Sequence, residues 1–153
     1  MKSKFIFLVF AIILGCSSSS DIPSDFSLSY SSRNALMNWE IKITIESKSL
    51  KLDYKNQQNG TSGNGVYDIT ESEAKTLYNY MKSSSFLSMS QPDGEKILDA
   101  PTQNITGKYG GKSNSIEFGT VKIPSETITT LKQILFDLSS KYNSKWKKDM
   151  NFE

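Results

Sequence analysis

The chain has 153 residues, with 18 Lys and Arg against 16 Asp and Glu, a single Cys and no His. The lack of His excludes Ser-His-Asp triads, His-ligated zinc and the most common general base, and one Cys allows no disulfide within the chain. This composition argues against an enzyme, and no cofactor is expected.

Residues 1–15 have the pattern of an export signal. Lys2 and Lys4 form a positively charged start, and ten apolar residues, Phe5–Leu14, follow. A helix that crosses a bilayer needs about 20 apolar residues, whereas this shorter run is typical of a secretory signal. We therefore expect a cleaved signal and no permanent transmembrane span.

The signal ends in Ile13, Leu14, Gly15 and Cys16. This stretch resembles the lipobox of bacterial lipoproteins, with an aliphatic residue three positions before the Cys and a small residue just before it. The resemblance implies that Cys16 becomes an N-palmitoyl, S-diacylglycerol cysteine that anchors the chain to a membrane of the cell envelope. Ser17, rather than Asp, follows the Cys, and the usual Gram-negative sorting pattern then favours the outer membrane.

Removal of the signal changes the charge balance. Because Lys2 and Lys4 are lost, 16 basic residues remain against 16 acidic ones. A neutral chain lacks the basic face that nucleic-acid binding needs, so we expect no nucleic-acid partner. Residues 16–25 are small and polar apart from Ile22, which predicts a lipidated Cys on a flexible tether that reaches roughly 15–18 Å.

Alternation of apolar and polar residues begins at Phe26. Phe26–Tyr30, Trp39–Ile45 and Leu50–Tyr54 each alternate with a period of two, which is typical of half-buried strands. The short polar stretch Glu46–Ser49 predicts a hairpin between the last two. Trp39 lies on an apolar stripe and is interpreted as a core residue, with a binding aromatic as the alternative.

The segment Asn56–Gly65 has two Asn-Gly pairs and no apolar residue, and it predicts a mobile loop before a short strand, Val66–Ile69. A phosphate-binding loop would need a helix directly after it and usually a Lys. Neither condition is met at Gly60–Gly65, so a nucleotide site is not expected.

Thr70 and Glu73 have the spacing of a capping box, and apolar residues at helical spacing then predict a helix over 71–83. Glu71, Glu73 and Asp68 surround its start. We interpret these carboxylates as complementing the helix dipole. An acid–base pair in a carboxylate-dependent enzyme is the alternative.

A loop over 91–101 carries Asp93, Glu95 and Asp99. Carboxylates in a loop can bind calcium, but the EF-hand spacing is absent. They are weak metal candidates, and a solvated loop with no metal is the expected structure.

The remaining pattern predicts strands over 104–109 and 115–118 and a helix over 125–142, followed by a tail, 143–153, that frays. The tail carries Lys145, Trp146, Lys147 and Lys148. Basic residues interleaved with aromatics can contact an anionic membrane surface, and a solvated helix end is the alternative.

The predicted fold is α+β: a single domain, 26–142, with an antiparallel sheet of five to six strands and two helices packed on one face. The order is β-β-β-β-α-β-β-α. Runs of strands broken by helices, with connections of hairpin length, indicate this class.

The predicted domain also resembles emfourin-type domains, small proteins that inhibit thermolysin-like metalloproteases. The shared order is an early strand pair, Trp39–Tyr54, a helix from a Ser/Thr-x-x-Glu motif at Thr70, a Phe-Leu stretch at Phe86, a second strand pair and a closing helix. The main hypothesis is a non-catalytic, lipid-anchored protein that binds another protein or has a structural role. Protease inhibition is the alternative, and a His-independent enzyme using carboxylates or Lys is the second alternative.

Overall fold

A computed structural model describes residues 21–93, 97, 99–119 and 125–150. The signal, Cys16 and Glu95 lie outside the described residues. In chain order the elements are β1 (Ser27–Asn34), β2 (Trp39–Glu46), β3 (Ser49–Asn56), β4 (Thr61–Asp68), α1 (Glu71–Ser83), a 3₁₀ turn (Phe86–Ser88), β5 (Thr102–Tyr109), β6 (Lys112–Phe118), α2 (Glu126–Tyr142) and α3 (Trp146–Asp149). The predicted α+β class and the order of its main elements are confirmed.

The six strands form one antiparallel sheet in the order β4-β3-β2-β1-β5-β6. Strand β1 therefore lies at the centre, between β2 and β5. Two-residue turns close the β2–β3 and β5–β6 hairpins, with Glu46 opposite Ser49 and Tyr109 opposite Lys112. The second turn is Gly110-Gly111, and both glycines have positive φ, as a type I′ turn requires.

One face of the sheet forms the core. Alternate residues of β1, β2 and β3 are buried beneath the helices, and their neighbours on the other face are exposed or half-buried. The buried set is Leu28, Tyr30, Ile41, Ile43, Ile45, Leu50, Leu52 and Tyr54. The strict period of two in the sequence thus reports a sheet that is covered on one side only.

Both long helices begin where the caps predict. In α1, the Glu73 N–H donates to Thr70 Oγ1 at 3.2 Å, and the Thr70 N–H donates to Glu73 Oε2 at 2.8 Å. In α2, the Ile128 N–H donates to Ser125 Oγ at 3.3 Å. The buried faces of these helices are Ala74, Leu77, Tyr78 and Met81 in α1, and Ile128, Leu131, Leu135 and Leu138 in α2.

The predicted mobile loop over 56–65 is wrong at both ends: Asn56 belongs to β3, and β4 begins at Thr61 and pairs with β3 along its whole length. Only residues 57–60 form the turn. The rings of Tyr54 and Tyr67 lie against Gly63 and Gly65, and a Cβ added to Gly63 would lie 2.5 Å from Cζ of Tyr54. The glycines make room for these rings.

The tail does not fray over 143–150, which corrects a second expectation. Trp146 is fully buried and Met150 nearly so. The Trp146 ring packs edge-on against Phe136, with centroids 5.0 Å apart, and its indole N–H donates to Ser140 Oγ at 3.1 Å. Trp146 and Met150 are four residues apart, which is the spacing of one helix face, but a single such pair is too short a pattern to predict a helix.

The ordered domain also begins earlier than Phe26. Ile22 packs against the core, and the Phe26 N–H donates to the Pro23 carbonyl at 2.9 Å. The Asp25 carboxylate accepts the N–H groups of Gly111 at 2.8 Å and Gly110 at 2.9 Å, which lower the pKa of Asp25. The chain therefore enters the sheet beside the β5–β6 turn.

Candidate functional site

The loop carboxylates do not form a metal site in the part of the chain that the structure describes. Asp93 and Asp99 are both exposed. Among the described residues, no group of three His, Cys, Asp or Glu side chains could hold a metal ion. Glu95 is outside those residues, and its role stays a prediction.

The carboxylates at the start of α1 form structural ion pairs. Glu71 Oε2 lies 2.7 Å from Lys48 Nζ, and Glu73 Oε1 lies 2.6 Å from Lys141 Nζ. Burial alone would raise the pKa of Glu73, but hydrogen bonds from Lys141, Thr70 and Tyr142 outweigh it and lower the pKa to about 2. A carboxyl that stays ionised in this way is a poor general acid at neutral pH, so the helix start gives no support to the enzyme hypothesis.

Lys132 is a half-buried cation that the sequence did not single out. Its Nζ donates to Gln103 Oε1 at 2.8 Å and lies over the rings of Tyr30 and Phe136, at 5.6 and 5.3 Å from their centroids. Burial lowers the pKa of Lys132 and raises that of Tyr30 to about 12. The cation is held by an amide and two aromatic faces, which is a packing role.

The basic tail is only partly at the surface. Lys145 and Lys148 are exposed, and Lys147 Nζ lies 3.9 Å from Asp137 Oδ1. Trp146 is fully buried, so it cannot contact a membrane while the domain is folded. Contact of the lysines with a membrane stays a prediction.

The β1–β2 turn carries the most exposed pair of apolar side chains in the described residues. Leu36 is 70% exposed and Met37 is 48% exposed. The Met37 N–H donates to Asn34 Oδ1 at 2.9 Å, and the Asn38 carbonyl accepts the Gln57 N–H at 3.0 Å. We call residues 34–38 the distal tip, because its backbone is held in place while its apolar side chains point outward.

A small depression of about 150 Å³ adjoins the distal tip. Its lining combines two cations, a carboxylate, amides and an aromatic ring: Arg33, Asn34, Asn38, Trp39, Glu40, Lys55 and Gln57. Trp39 is half-buried and packs against the core, so the core interpretation holds in part. Trp39, Arg33 and Lys55 thus meet around one depression beside the distal tip.

The distal tip lies at the far end of the molecule from the chain entry. Asp25 precedes β1 and the tip follows it, so the eight residues of β1 separate the two. At about 3.3 Å per residue, this strand is roughly 26 Å long. The ends of the sheet therefore differ: the chain enters at one of them beside Asp25, and the other presents Leu36 and Met37.

The face of the sheet opposite the helices is open and polar. One row across all six strands consists of Asn64, Asp53, Lys42, Ser31, Asn104 and Glu117. A shallow depression of about 550 Å³ lies on this face near β4 and is lined in part by Lys42, Lys51 and Val66. Val66 is 68% exposed there.

Sequence reasoning missed both the distal tip and the exposed Val66. The available signal for the tip was a Leu-Met pair between two asparagines in a short connection between strands. Neither a protein-family model nor a curated protein matches this chain. In the described part of the chain, no helix has the length and apolar character needed to span a membrane.

Proposed function

We propose that the protein is a lipid-anchored lipoprotein of the cell envelope, most consistent with the outer membrane, and that its α+β domain binds another protein. The observation that carries the binding role is the position of Leu36 and Met37, exposed on the distal tip and far from the chain entry.

The anchor is supported by the sequence of the first sixteen residues, with two lysines, an apolar run and Gly15-Cys16. Each buried methylene of an acyl chain contributes about 0.8 kcal/mol, and stable anchoring takes two signals such as two acyl chains. Cys16 would carry them. The entry of the chain beside Gly110 and Gly111 then directs that end of the sheet toward the membrane.

Protein binding is supported by the composition of the distal tip. Interfaces are enriched in aromatic residues, Met and Arg, and their strongest contacts often come from Trp, Tyr and Arg. Met37, Arg33 and Trp39 lie together at this end of the sheet. Such a tip, projecting away from the membrane, is placed to meet a partner in the adjoining compartment.

The anchor is tested by Cys16→Ser. Labelling of the protein with radioactive palmitate should disappear, and the precursor should accumulate uncleaved. Persistent labelling of the variant would show that the anchor proposal is wrong.

The binding role is tested by crosslinking in intact envelopes, followed by purification of the lipidated protein. The double variant Leu36→Ser, Met37→Ser should lose the partner that the unmodified protein captures. Lys112→Ser, at the other end of the sheet, is the matched control and should capture it normally. Equal capture by all three proteins would exclude the distal tip as the binding site.

Inhibition of a metalloprotease is the second candidate, and the order of elements favours it. The hairpin over 39–56, the capped helix at Thr70 and the closing helix α2 agree with the order in emfourin-type domains. The lipidated protein at micromolar concentration should then slow a metalloprotease of the same organism. Unchanged cleavage rates across those proteases would dispose of this candidate.

A further inference from the structure

The two edge strands of the sheet, β6 and β4, differ in how their outward backbone groups are protected. At the β6 edge, the side chain of Gln91 takes the place of a neighbouring strand: its Nε2 donates to the Ser115 carbonyl at 2.5 Å, and its Oε1 accepts the Glu117 N–H at 2.9 Å. The Ser115 N–H donates to Asn114 Oδ1 at 2.9 Å. This edge is closed to a further strand between Ser115 and Glu117.

The segment that carries Gln91 is fixed in place by the same strand. Asn114 Nδ2 donates to the carbonyls of Phe86 and Met89 at 2.8 and 2.9 Å. Natural sheets protect their edges in this way, because a free row of N–H and C=O groups recruits other strands.

The β4 edge has no such protection among the described residues. In the β2–β3 hairpin the two-residue turn makes Glu46 and Ser49 a hydrogen-bonded pair, so the even-numbered residues of β3 face β4. The Ile69 N–H donates to the Lys48 carbonyl at 2.9 Å, as this alternation requires. The backbone N–H and C=O groups that point away from the sheet in β4 therefore belong to Ser62, Asn64, Val66 and Asp68. Within the described part of the chain, these backbone groups make no hydrogen bond.

The composition and regularity of β4 also favour pairing. Its register with β3 is unbroken over eight residues, with no bulge. The strand contains no Lys and no Pro, and its one charged residue, Asp68, is at its end. Edge strands that avoid pairing usually carry a bulge, a Lys or other charged residue, or a Pro within the strand.

We propose that β4 is the acceptor for an extended segment of the partner protein, which adds to the sheet as a seventh strand. This inference rests on the proposed protein-binding function. Strand addition takes its affinity from backbone hydrogen bonds and its specificity from alternate side chains. The side chain that lies beside Val66 on the open face should be apolar, since Val66 is 68% exposed there.

A second copy of the chain fits this edge less well than another protein does. Symmetric pairing of β4 with β4 is antiparallel, so the two chain entries would lie at opposite ends of the joint sheet. Residues 16–21 span at most about 18 Å when fully extended, which is less than the roughly 26 Å length of a strand here. In an upright sheet, one copy could not reach the membrane.

The β4 edge is continuous with the distal tip. The β3–β4 turn, 57–60, contacts the β1–β2 turn through the side chains of Asn38 and Gln57, and Gln58 Nε2 lies 3.4 Å from Met37 Sδ. A partner whose extended segment pairs with β4 can therefore cover Met37 with the residues that follow. One partner then uses both surfaces.

The test is a photo-crosslinking amino acid placed at position 66 of the full lipidated chain and, in a separate protein, at position 36. Crosslinking is done in intact envelopes, and the crosslinked peptide is mapped by mass spectrometry. Asn64→Pro removes one outward N–H and leaves the β3–β4 ladder intact, because residue 64 does not bond to β3. Asn64→Ala is the matched control that keeps the N–H. A thermal midpoint of Asn64→Pro close to that of Asn64→Ala shows that the variant is folded. If Asn64→Pro does not fold, Val66→Lys replaces it, with the crosslinker moved to position 64.

The expected result is a crosslink to one extended segment of another protein, retained in Asn64→Ala and reduced about tenfold or more in Asn64→Pro. An equal yield in both variants, or a crosslink to a second copy of this chain, would overturn the proposal. Crosslinks from position 36 without any from position 66 would overturn strand addition and leave protein binding standing. No crosslink from either position would overturn both.

Discussion

Gly63 and Gly65 give β4 its fit to the aromatic side chains beside it. A Cβ at Gly65 would overlap the hydroxyl end of the Tyr67 ring, and a neighbouring ring, Tyr54, is held by a 2.6 Å hydrogen bond to Asp149. We expect Gly65→Ala to lower the free energy of unfolding by about 1–3 kcal/mol, the usual cost of overpacking. Urea denaturation measures this effect, and Asn64→Ala, with an exposed side chain, should change it little.

The ionised Glu73 makes the stability of the domain sensitive to acid. Its pKa is about 2 in the folded protein against an ordinary 4.5, so its contribution is complete above about pH 4.5 and is lost as the pH falls toward 2. Glu73→Gln should cost about 1–3 kcal/mol at neutral pH and flatten this loss. Thermal midpoints measured from pH 7 to pH 2 provide the test.

The matched control for Glu73 is Glu71→Gln. The Glu71 side chain is 70% exposed in its ion pair with Lys48, and exposed pairs contribute little. If both variants show the same pH profile, the hydrogen-bond network around Glu73 is not the source of the acid sensitivity.

Trp146 is the largest buried side chain of the short helix α3. Trp146 is fully buried and packs on Phe136, so Trp146→Ala should destabilise the domain by about 3–5 kcal/mol. Lys148→Ala, an exposed position of the same helix, should have almost no effect. Chemical denaturation of the two variants measures the difference, and equal stability would mean that the tail is not part of the core.

The elements that the sequence predicted are those in which buried and exposed residues follow a regular period along the chain. Strands β1, β2 and β3 alternate, and Thr70, Glu73 and Ser125 mark the helix starts through local hydrogen bonds. The first part of β4, residues 61–65, escaped prediction because its inward residues include Gly63 and Gly65, whose space is filled by tyrosines. A hydrophobicity pattern along the sequence cannot show that a glycine position faces the core when the space beside it is filled by a tyrosine from elsewhere in the chain.

The candidate surfaces could not be predicted for a related reason. The exposure of Leu36 depends on where the β1–β2 turn falls, and the free backbone of β4 depends on the strand order of the whole sheet. The closure of the opposite edge depends on Gln91, which lies 24 residues before Ser115. These features arise from the topology and register of the sheet, and a single sequence does not reveal either of them.

At the scale of the whole molecule, the chain entry and the distal tip give the domain a direction. Lys112 follows the glycine turn that Asp25 binds, whereas Leu36 lies beyond the far end of β1. If the lipid anchor is at Cys16, the Lys112 end stays close to the membrane, because residues 16–21 span at most about 18 Å when fully extended. The distal tip then lies farther out by about the length of a strand.

This orientation can be measured with single-cysteine labels, since the only native Cys is expected to be acylated. Leu36→Cys and Lys112→Cys, each with a donor fluorophore, are placed in vesicles that carry an acceptor on the lipid headgroups. Energy transfer should be clearly greater from position 112, because the strand between them is roughly 26 Å long. A control protein of residues 17–153, which lacks both the signal and the acylated Cys16, should show no transfer from either position. Equal transfer from the two positions in the anchored protein would mean that the sheet lies flat on the membrane, and the distal tip would then have no privileged access to a partner.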